Sequence, residues 1–256
     1  MSNESNFQLV EEWITPGVCL LARSEVKNRG LLRLANHFMS QSGLWAYVHE
    51  TEAILVDAPF ACEDAGQIIQ HINEFLRTHN VKLKFITSSH LHIDHSAGLS
   101  CLLDSFNAAS FVYPVRWKKH LESHTFDNIA KCVKQAELKH QWNRERHQSY
   151  DKLLTVDLAG EPLHLIEAPY HSPTDQLAIF RGFTLLPDWH LPTHLDESLQ
   201  LVNATASDIR STIVRLREFE RETGYRIDKS CAVHANEPLR FDFQERLDVA
   251  YRKFVM

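Results

Sequence analysis

Glycine is scarce in this chain, 8 in 256 residues, so close backbone approaches and left-handed turns must be built in large part from other residues. The five cysteines, Cys19, Cys62, Cys101, Cys132 and Cys231, are odd in number and widely spaced, with no Cys-x-x-Cys pair. That pattern excludes a thiolate zinc knuckle, argues against a disulfide framework and for a reducing compartment, and leaves the cysteines as core fillers. Long apolar runs are missing too. None approaches the roughly 18 residues of a membrane span, and Met1 to Phe7 has neither a basic segment nor an apolar one, so a cytoplasmic protein without membrane contact is expected. There is no excess of positive charge: 27 Lys and Arg against 33 Asp and Glu give −6. The balance supplies no general reason to expect nucleic acid as a partner, and nothing sets an oligomeric state.

Histidine is abundant by contrast, with 16 residues, and it is costly to bury unless paired or ligated. Its densest stretch, Ser89-His90-Leu91-His92-Ile93-Asp94-His95-Ser96, packs four potential metal ligands into six residues. It directly follows the strand-like run Leu83 to Thr87. Imidazole and carboxylate suit Zn²⁺ and also Fe or Mn. Burying three imidazoles and a carboxylate side by side without metal would be expensive.

At 256 residues one large domain is the simplest organisation, spanning 1–256. Short apolar runs with polar breaks predict strands at Val18 to Ala22, Leu32 to Phe38, Leu44 to His49 and Ala53 to Asp57. Glu63 to His79 carries Ile68, Ile72, Phe75 and Leu76 at helical spacing and leads into the Leu83 strand. A short helix over Ala97 to Ser105 and a strand over Ala109 to Tyr113 follow. Val115 to Tyr150 then reads as a polar helical insertion. Its cations, among them Arg116, Lys118, Arg144 and Arg146, mark a solvated face on the plain reading and a cap for an anionic substrate on the functional one. Strands resume at Leu153 to Leu158, Pro162 to Ala168, Gln176 to Phe180 and Phe183 to Leu186. A helix over Asp208 to Glu222, with Thr205 or Ser207 to cap it, is ended by Gly224. Ser230 to Val233 is a last strand and Phe243 to Phe254 a closing helix. Two strand meanders, each followed by helices, fit an α/β protein of four layers, αββα, as one option among several.

Three further positions end apolar runs where loops can converge: His171, Asp188 and His234. With them a two-ion site can be written in which His90, His92 and His171 hold one ion, Asp94, His95 and His234 the other, and Asp188 bridges, with room left for a shared water. In this order the motifs resemble those of the metallo-β-lactamase-fold superfamily: His-x-His-x-Asp-His, then a His, a bridging Asp and a final His. The resemblance runs from about residue 17 to 236. It implies the αββα sandwich with metals at one edge, and a supporting, non-ligating role for Asp57 as the family's early Asp. Family glycines are replaced: Ser96-Ala97-Gly98 stands after the Asp-His pair, Pro187 before Asp188 and Ala235 after His234.

The expected function is hydrolysis of a small-molecule ester, lactone, thioester or amide by a hydroxide shared between two divalent ions, with Asp94 moving its proton. Tyr170 could turn its phenol to a reacting carbonyl, or simply pack. His190 and His194 could meet substrate or support the ligands, and Asp175 caps a turn. A phosphodiesterase or nuclease is the alternative that the basic insertion favours. An oxygen-activating di-iron centre is the alternative that the same ligand set allows.

Overall fold

Adjacent residues Leu20 and Leu21, and likewise Ile54 and Leu55, are all completely buried. In a strand, neighbours face opposite sides of the sheet, so both faces of these strands are covered. The computed structural model describes residues 7–24, 42–60, 64–123, 146–188, 190–193, 204–234 and 238–256. It has one sheet of seven strands and one of five. The first runs β1 (Phe7–Thr15), β2 (Val18–Ser24), β3 (Gly43–His49), β4 (Glu52–Val56), β5 (Lys82–Thr87), β6 (Ser110–Pro114) and β7 (His147–Tyr150) in spatial as in chain order. Strands β1 to β4 form an antiparallel meander, and β4 to β7 pair in parallel. The second comprises β8 (Leu153–Leu158), β9 (Glu161–Glu167), β10 (Gln176–Phe180), β11 (Phe183–Leu186) and β12 (Lys229–Ala232), ordered β12-β11-β10-β9-β8. Only the β11–β12 pair in it is parallel.

Helices α1 (Ala65–Thr78), α2 (Ile93–Ser96), α3 (Leu99–Ser105), α4 (Lys118–Ser123), α5 (Ala206–Thr223) and α6 (Phe243–Phe254) complete the described elements, with a 3-10 turn at Val115–Trp117. Three apolar layers define the stacking. Leu21, Leu55, Ile68, Ile72 and Phe75 fill the space between the larger sheet and α1. Leu20, Tyr47, Ile54, Leu163 and Phe180 fill the space between the sheets. Leu177, Ile179, Ile213, Leu216 and Leu247 fill the space between the smaller sheet and helices α5 and α6. The order is therefore helix, sheet, sheet, helix, the αββα arrangement expected. Each such side chain taken fully from water contributes roughly 1.5–3 kcal/mol. The Tyr47 hydroxyl donates to Ala178 O at 2.9 Å, and Trp45 Nε1 to Val233 O at 3.1 Å, which fixes one sheet on the other.

Helix α5 starts with a capping box: Thr205 accepts from Asp208 N, Asp208 accepts from Thr205 N, and Gly224 ends the helix at φ 69°. Two strands differ from the sequence reading. Strand β1, whose burial never settles into strict alternation and whose pairing is broken by register shifts, is an unpredicted edge strand. Residues His147–Tyr150, placed by sequence in a helical insertion, instead form β7. Their polar run becomes a strand through parallel pairing with β6, a long-range contact that local periodicity does not carry. Residues 124–145 of that insertion, and the expected strand at 32–38, lie outside the described residues. Cys19 and Cys231 are buried and in no disulfide. Cys101 is disulfide-bonded, which corrects the reading of all five cysteines as unpaired core fillers and removes the support they lent to a reducing compartment. Among the described residues no helix is long and apolar enough to cross a membrane.

Candidate metal centre

Strand β5 delivers the chain to the site. Past Thr87 the chain bends at Ser89, and Leu91 joins the outer apolar layer while His90 and His92 join the ligand group. Asp94 and His95 then sit on the single turn of α2, whose N-cap is His92. The other ligands arrive at the same edge: His171 between β9 and β10, Asp188 two residues past β11, and His234 two past β12.

Two groups of four side chains converge there. His90, His92, His171 and Asp188 form one, and Asp94, His95, Asp188 and His234 the other; in each, one atom per residue lies within 4.8 Å of all the rest, and every residue is buried. His92 Nδ1 is 2.9 Å from His90 Nε2 and 3.0 Å from His171 Nε2. Nitrogens held at 2.0–2.1 Å around one tetrahedral ion would stand about 3.3 Å apart, so this spacing is close to that of a ligand cage. Asp188 is shared between the groups. Its Oδ2 is 2.9 Å from His171 Nε2, and its Oδ1 is 2.9 Å from His95 Nε2, 3.2 Å from His234 Nε2 and 3.4 Å from His90 Nε2.

Around the ligands lies a buried scaffold. Asp57, fully buried, accepts from Ser88 Oγ at 2.7 Å, Ser89 N at 2.6 Å, Ser89 Oγ at 3.0 Å and His95 Nδ1 at 3.0 Å. That contact at Nδ1 leaves His95 Nε2 to face the ligand cluster. Ser89 Oγ also lies 3.0 Å from His90 Nδ1, which frees His90 Nε2 in the same way. Asp57 and Asp188 both have left-handed backbones, φ 67° and 50°, conformations that Asp tolerates better than most residues. Ser42 Oγ donates to Asp94 Oδ2 at 3.4 Å, while Asp94 Oδ1 is buried and accepts no hydrogen bond. Two imidazole-rich groups sharing a carboxylate, with an orphaned carboxylate oxygen beside them, fit a pair of divalent ions.

The electrostatics are those of ligands facing one another. Burial, helped by neighbouring rings, drives His90 well below the usual histidine range, and burial first also takes His92 down to about 3. At His95 burial opposes the charged form, but Asp94 and Asp57 outweigh it and raise the ring well above its ordinary value. At Asp188 burial is likewise outweighed, by His171 and His234, and the carboxyl is held well below the carboxylate range.

All seven predicted ligands thus come together. Tyr170 does something narrower than expected: its hydroxyl donates to Pro187 O at 3.0 Å, on the backbone just before Asp188. Asp175 caps its turn as read, with Oδ2 accepting from the N–H of Tyr170, His171 and Ser172; burial pushes its carboxyl up to about 6. His190 is half-buried in the loop after Asp188, and His194 lies outside the described residues. Sequence reasoning missed Ser42, Thr174 and Gln176. Ser88-Ser89, adjoining the first ligand, was the one local signal of a supporting shell.

An αββα fold with two such ligand groups at one sheet edge defines a class of metal-binding α/β proteins. Residues 40–201 match the model of the metallo-beta-lactamase superfamily, and the chain belongs to that superfamily. No curated protein matches it in sequence. Among solved structures it is similar to MEM-A1, a subclass B3 metallo-beta-lactamase from a soil metagenome library, at 18% identity over 84% of this chain and 89% of that one, TM-score 0.56. It is similar to the DIM-1 metallo-beta-lactamase at 14% identity over 96% and 98%, TM-score 0.60. It is also similar to a mutant flavo di-iron protein from Thermotoga maritima at 11% identity over 95% of this chain and 60% of that one, TM-score 0.58. At these identities the likeness is one of fold.

Proposed function

We propose that this chain is a dinuclear metal-dependent hydrolase of a small-molecule ester, lactone or thioester. The observation that carries the reading is Asp188 shared between two ligand groups with Asp94 Oδ1 unpartnered beside them. Bound divalent ions, zinc first and iron or manganese as alternatives, supply Lewis-acid polarisation of an acyl oxygen and a lowered pKa for water. His90, His92 and His171 would hold one, Asp94, His95 and His234 the other, with Asp188 common to both. Asp94 has a second task. With Oδ2 near Ser42 Oγ and His95 Nε2, both at 3.4 Å, Oδ1 is the atom left to take a proton from the attacking water and pass it to the leaving group. The Tyr170 contact with Pro187 O supports a role in holding the Asp188 backbone rather than one at the reacting carbonyl.

The phosphodiesterase reading loses support at Arg116 and Arg146, two of the described cations of residues 115–150, while Lys118 and Lys119 stay exposed. Arg116 is paired with Glu167 at 3.2 Å and Asp208 at 3.3 Å, and Arg146 donates to Leu103 O. A di-iron centre is the second reading, favoured by the likeness to a flavo di-iron protein. Metal analysis of purified protein with a visible spectrum separates zinc from iron. A panel of nitrophenyl esters, lactones, thioesters, nitrocefin and bis-nitrophenyl phosphate then tests the reaction. Metal-dependent turnover of the acyl substrates is expected. Turnover undiminished in metal-free protein, or confined to the phosphodiester, would overturn the proposal.

A further inference from the structure

We infer that Thr174 is a positioning residue for one half of the metal site, the three imidazoles of His90, His92 and His171, and not for the half formed by Asp94, His95 and His234. The inference rests on the dinuclear reading above. Leu91 lies between two of these ligands, and its backbone N–H donates to Thr174 Oγ1 at 3.0 Å. The Leu91 side chain is fixed in the outer apolar layer, so the peptide bearing His90 and His92 is held by the core on one side and on the other by this hydroxyl at its N–H, with Ser88 Oγ 2.7 Å from the His90 carbonyl.

That hydroxyl is itself held rigidly. Ser172 Oγ lies 2.9 Å from Thr174 Oγ1 and accepts from Thr174 N at 3.0 Å. Trp117 Nε1 donates to Thr174 O at 2.6 Å. Asp175 gathers the N–H groups of residues 170 to 172, among them that of His171 at 2.6 Å. Gln176 closes the turn on the strand end that feeds the ligands: its N–H donates to Ser89 O at 2.8 Å and its Nε2 to Thr87 Oγ1 at 2.5 Å and to Ser88 O. Gln176 Oε1 accepts from Tyr150 at 2.6 Å, which uses the amide fully. The turn carrying the third imidazole therefore grips the backbone carrying the first two.

The other half shares Ser88 and Asp57 with this one but has no contact with Thr174 and has anchors of its own. His95 is held through Ala58 N to its carbonyl at 2.7 Å and through Asp57 at Nδ1, and His234 pairs with Ser42 by a β-bridge. Without the Thr174 hydroxyl, the Leu91 N–H is left buried and unsatisfied. Relieving it moves the peptide between His90 and His92 and opens the three-nitrogen cage, while the second group keeps its supports.

The test uses the zinc-loaded full chain, with zinc per chain measured after equilibration against graded chelator. Thr174→Val keeps the shape and removes the hydroxyl, and Thr174→Ser keeps the hydroxyl. Thr174→Val is expected to release one ion at chelator concentrations about 10–100-fold lower than wild type, the usual effect of losing a partner behind the ligands. The other ion should follow the wild-type curve, and Thr174→Ser should match wild type. In a His234→Ala background, which keeps the three-imidazole half, Thr174→Val should weaken the remaining ion by the same factor. A Thr174→Val curve identical to wild type, an equal shift of both ions, or a serine variant as weak as the valine one overturns the inference. Should Thr174→Val not fold, Trp117→Phe, which removes the donor beneath Thr174, is expected to loosen the same single ion, and an unchanged curve overturns it. A wild-type chain that binds no divalent ion refutes the dinuclear reading itself; the outcomes above refute the positioning role alone.

Discussion

Replacing Asp57 by asparagine changes one atom and should loosen the half of the site built on Asp94, His95 and His234, to which Asp57 itself contributes no ligand. The carboxylate is fully buried and holds four donors, two on each oxygen. On Oδ1 one donor is the backbone N–H of Ser89 at 2.6 Å, which cannot become an acceptor. The amide oxygen of an asparagine must therefore take that side, and its NH₂ replaces Oδ2 against His95 Nδ1, now 3.0 Å from a carboxylate oxygen. To accept from that NH₂, Nδ1 must lose its proton and Nε2 must carry one, yet Nε2 is the atom turned toward Asp94 and Asp188. A protonated Nε2 is no ligand. Loss of such a partner weakens metal binding about 10–100-fold, or roughly 1.4–2.8 kcal/mol. In metal-free protein the same change breaks a buried pair between a raised His95 and Asp57. Asp94 and Asp188 still face Nε2, so the loss should stay below the about 3–5 kcal/mol of a buried charge left unpaired, with the melting temperature falling by about 2–4 °C for each kcal/mol in a chain of this size. Chelator competition on zinc-loaded protein and calorimetry on stripped protein read the two effects. An Asp57→Asn protein that releases both ions on the wild-type curve would refute the tautomer argument.

Other consequences can be checked singly. His92→Ala and Asp188→Ala should each abolish turnover, Asp188→Ala with loss of both ions; elemental analysis showing two retained ions in active Asp188→Ala would refute the shared-ligand assignment. Gly98→Ala places a Cβ 2.5 Å from the buried Phe60 ring, and overpacking of this kind costs about 1–3 kcal/mol; an unchanged melting temperature would contradict the close approach. The Asp208 carboxyl is lowered because the Thr205 hydroxyl and N–H and the Arg116 guanidinium outweigh burial. Below its usual range the unfolded chain binds the extra proton, so the stability this group adds is present above about pH 4 and fades as pH falls through its lower folded value. The difference in melting temperature between metal-free wild type and Asp208→Asn should accordingly be largest near neutrality and shrink in acid; a difference that grows as pH falls would reverse the sign.

The candidate ligands were legible in the sequence because chemistry restricts which residues can play that part. His90, His92, Asp94 and His95 crowd one loop, and His171, Asp188 and His234 each end an apolar run, so order and residue type located the site. Strands such as Val18–Ser24 and Gln176–Phe180 were legible because layers on both sides make most of their residues apolar. Strand β7 was not, since His147–Tyr150 is polar and owes its form to β6. Neither were Ser42, Thr174 and Gln176, whose hydroxyl and amide groups serve many ends and gain a role only from the partner that the fold brings across. Tyr170 was placed beside the ligands by sequence, but the direction of its hydroxyl depends on Pro187, seventeen positions away.

The two left-handed aspartates stand at matching places. Strands β3 and β4 form a hairpin that runs into Asp57, then α1, then a parallel strand leading to the first histidines; β10 and β11 form a hairpin that runs into Asp188, then α5, then a parallel strand leading to the last one. The chain thus uses one structural sentence twice, with the same word at its turning point and a different meaning in each half. In the first the acid stands behind a histidine and fixes which nitrogen it offers. In the second it steps forward and belongs to both groups at once. The surroundings tell the two apart: Asp57 accepts from Ser88, Ser89 and His95, whereas Asp188 stands within 3.4 Å of nitrogens on His90, His95, His171 and His234.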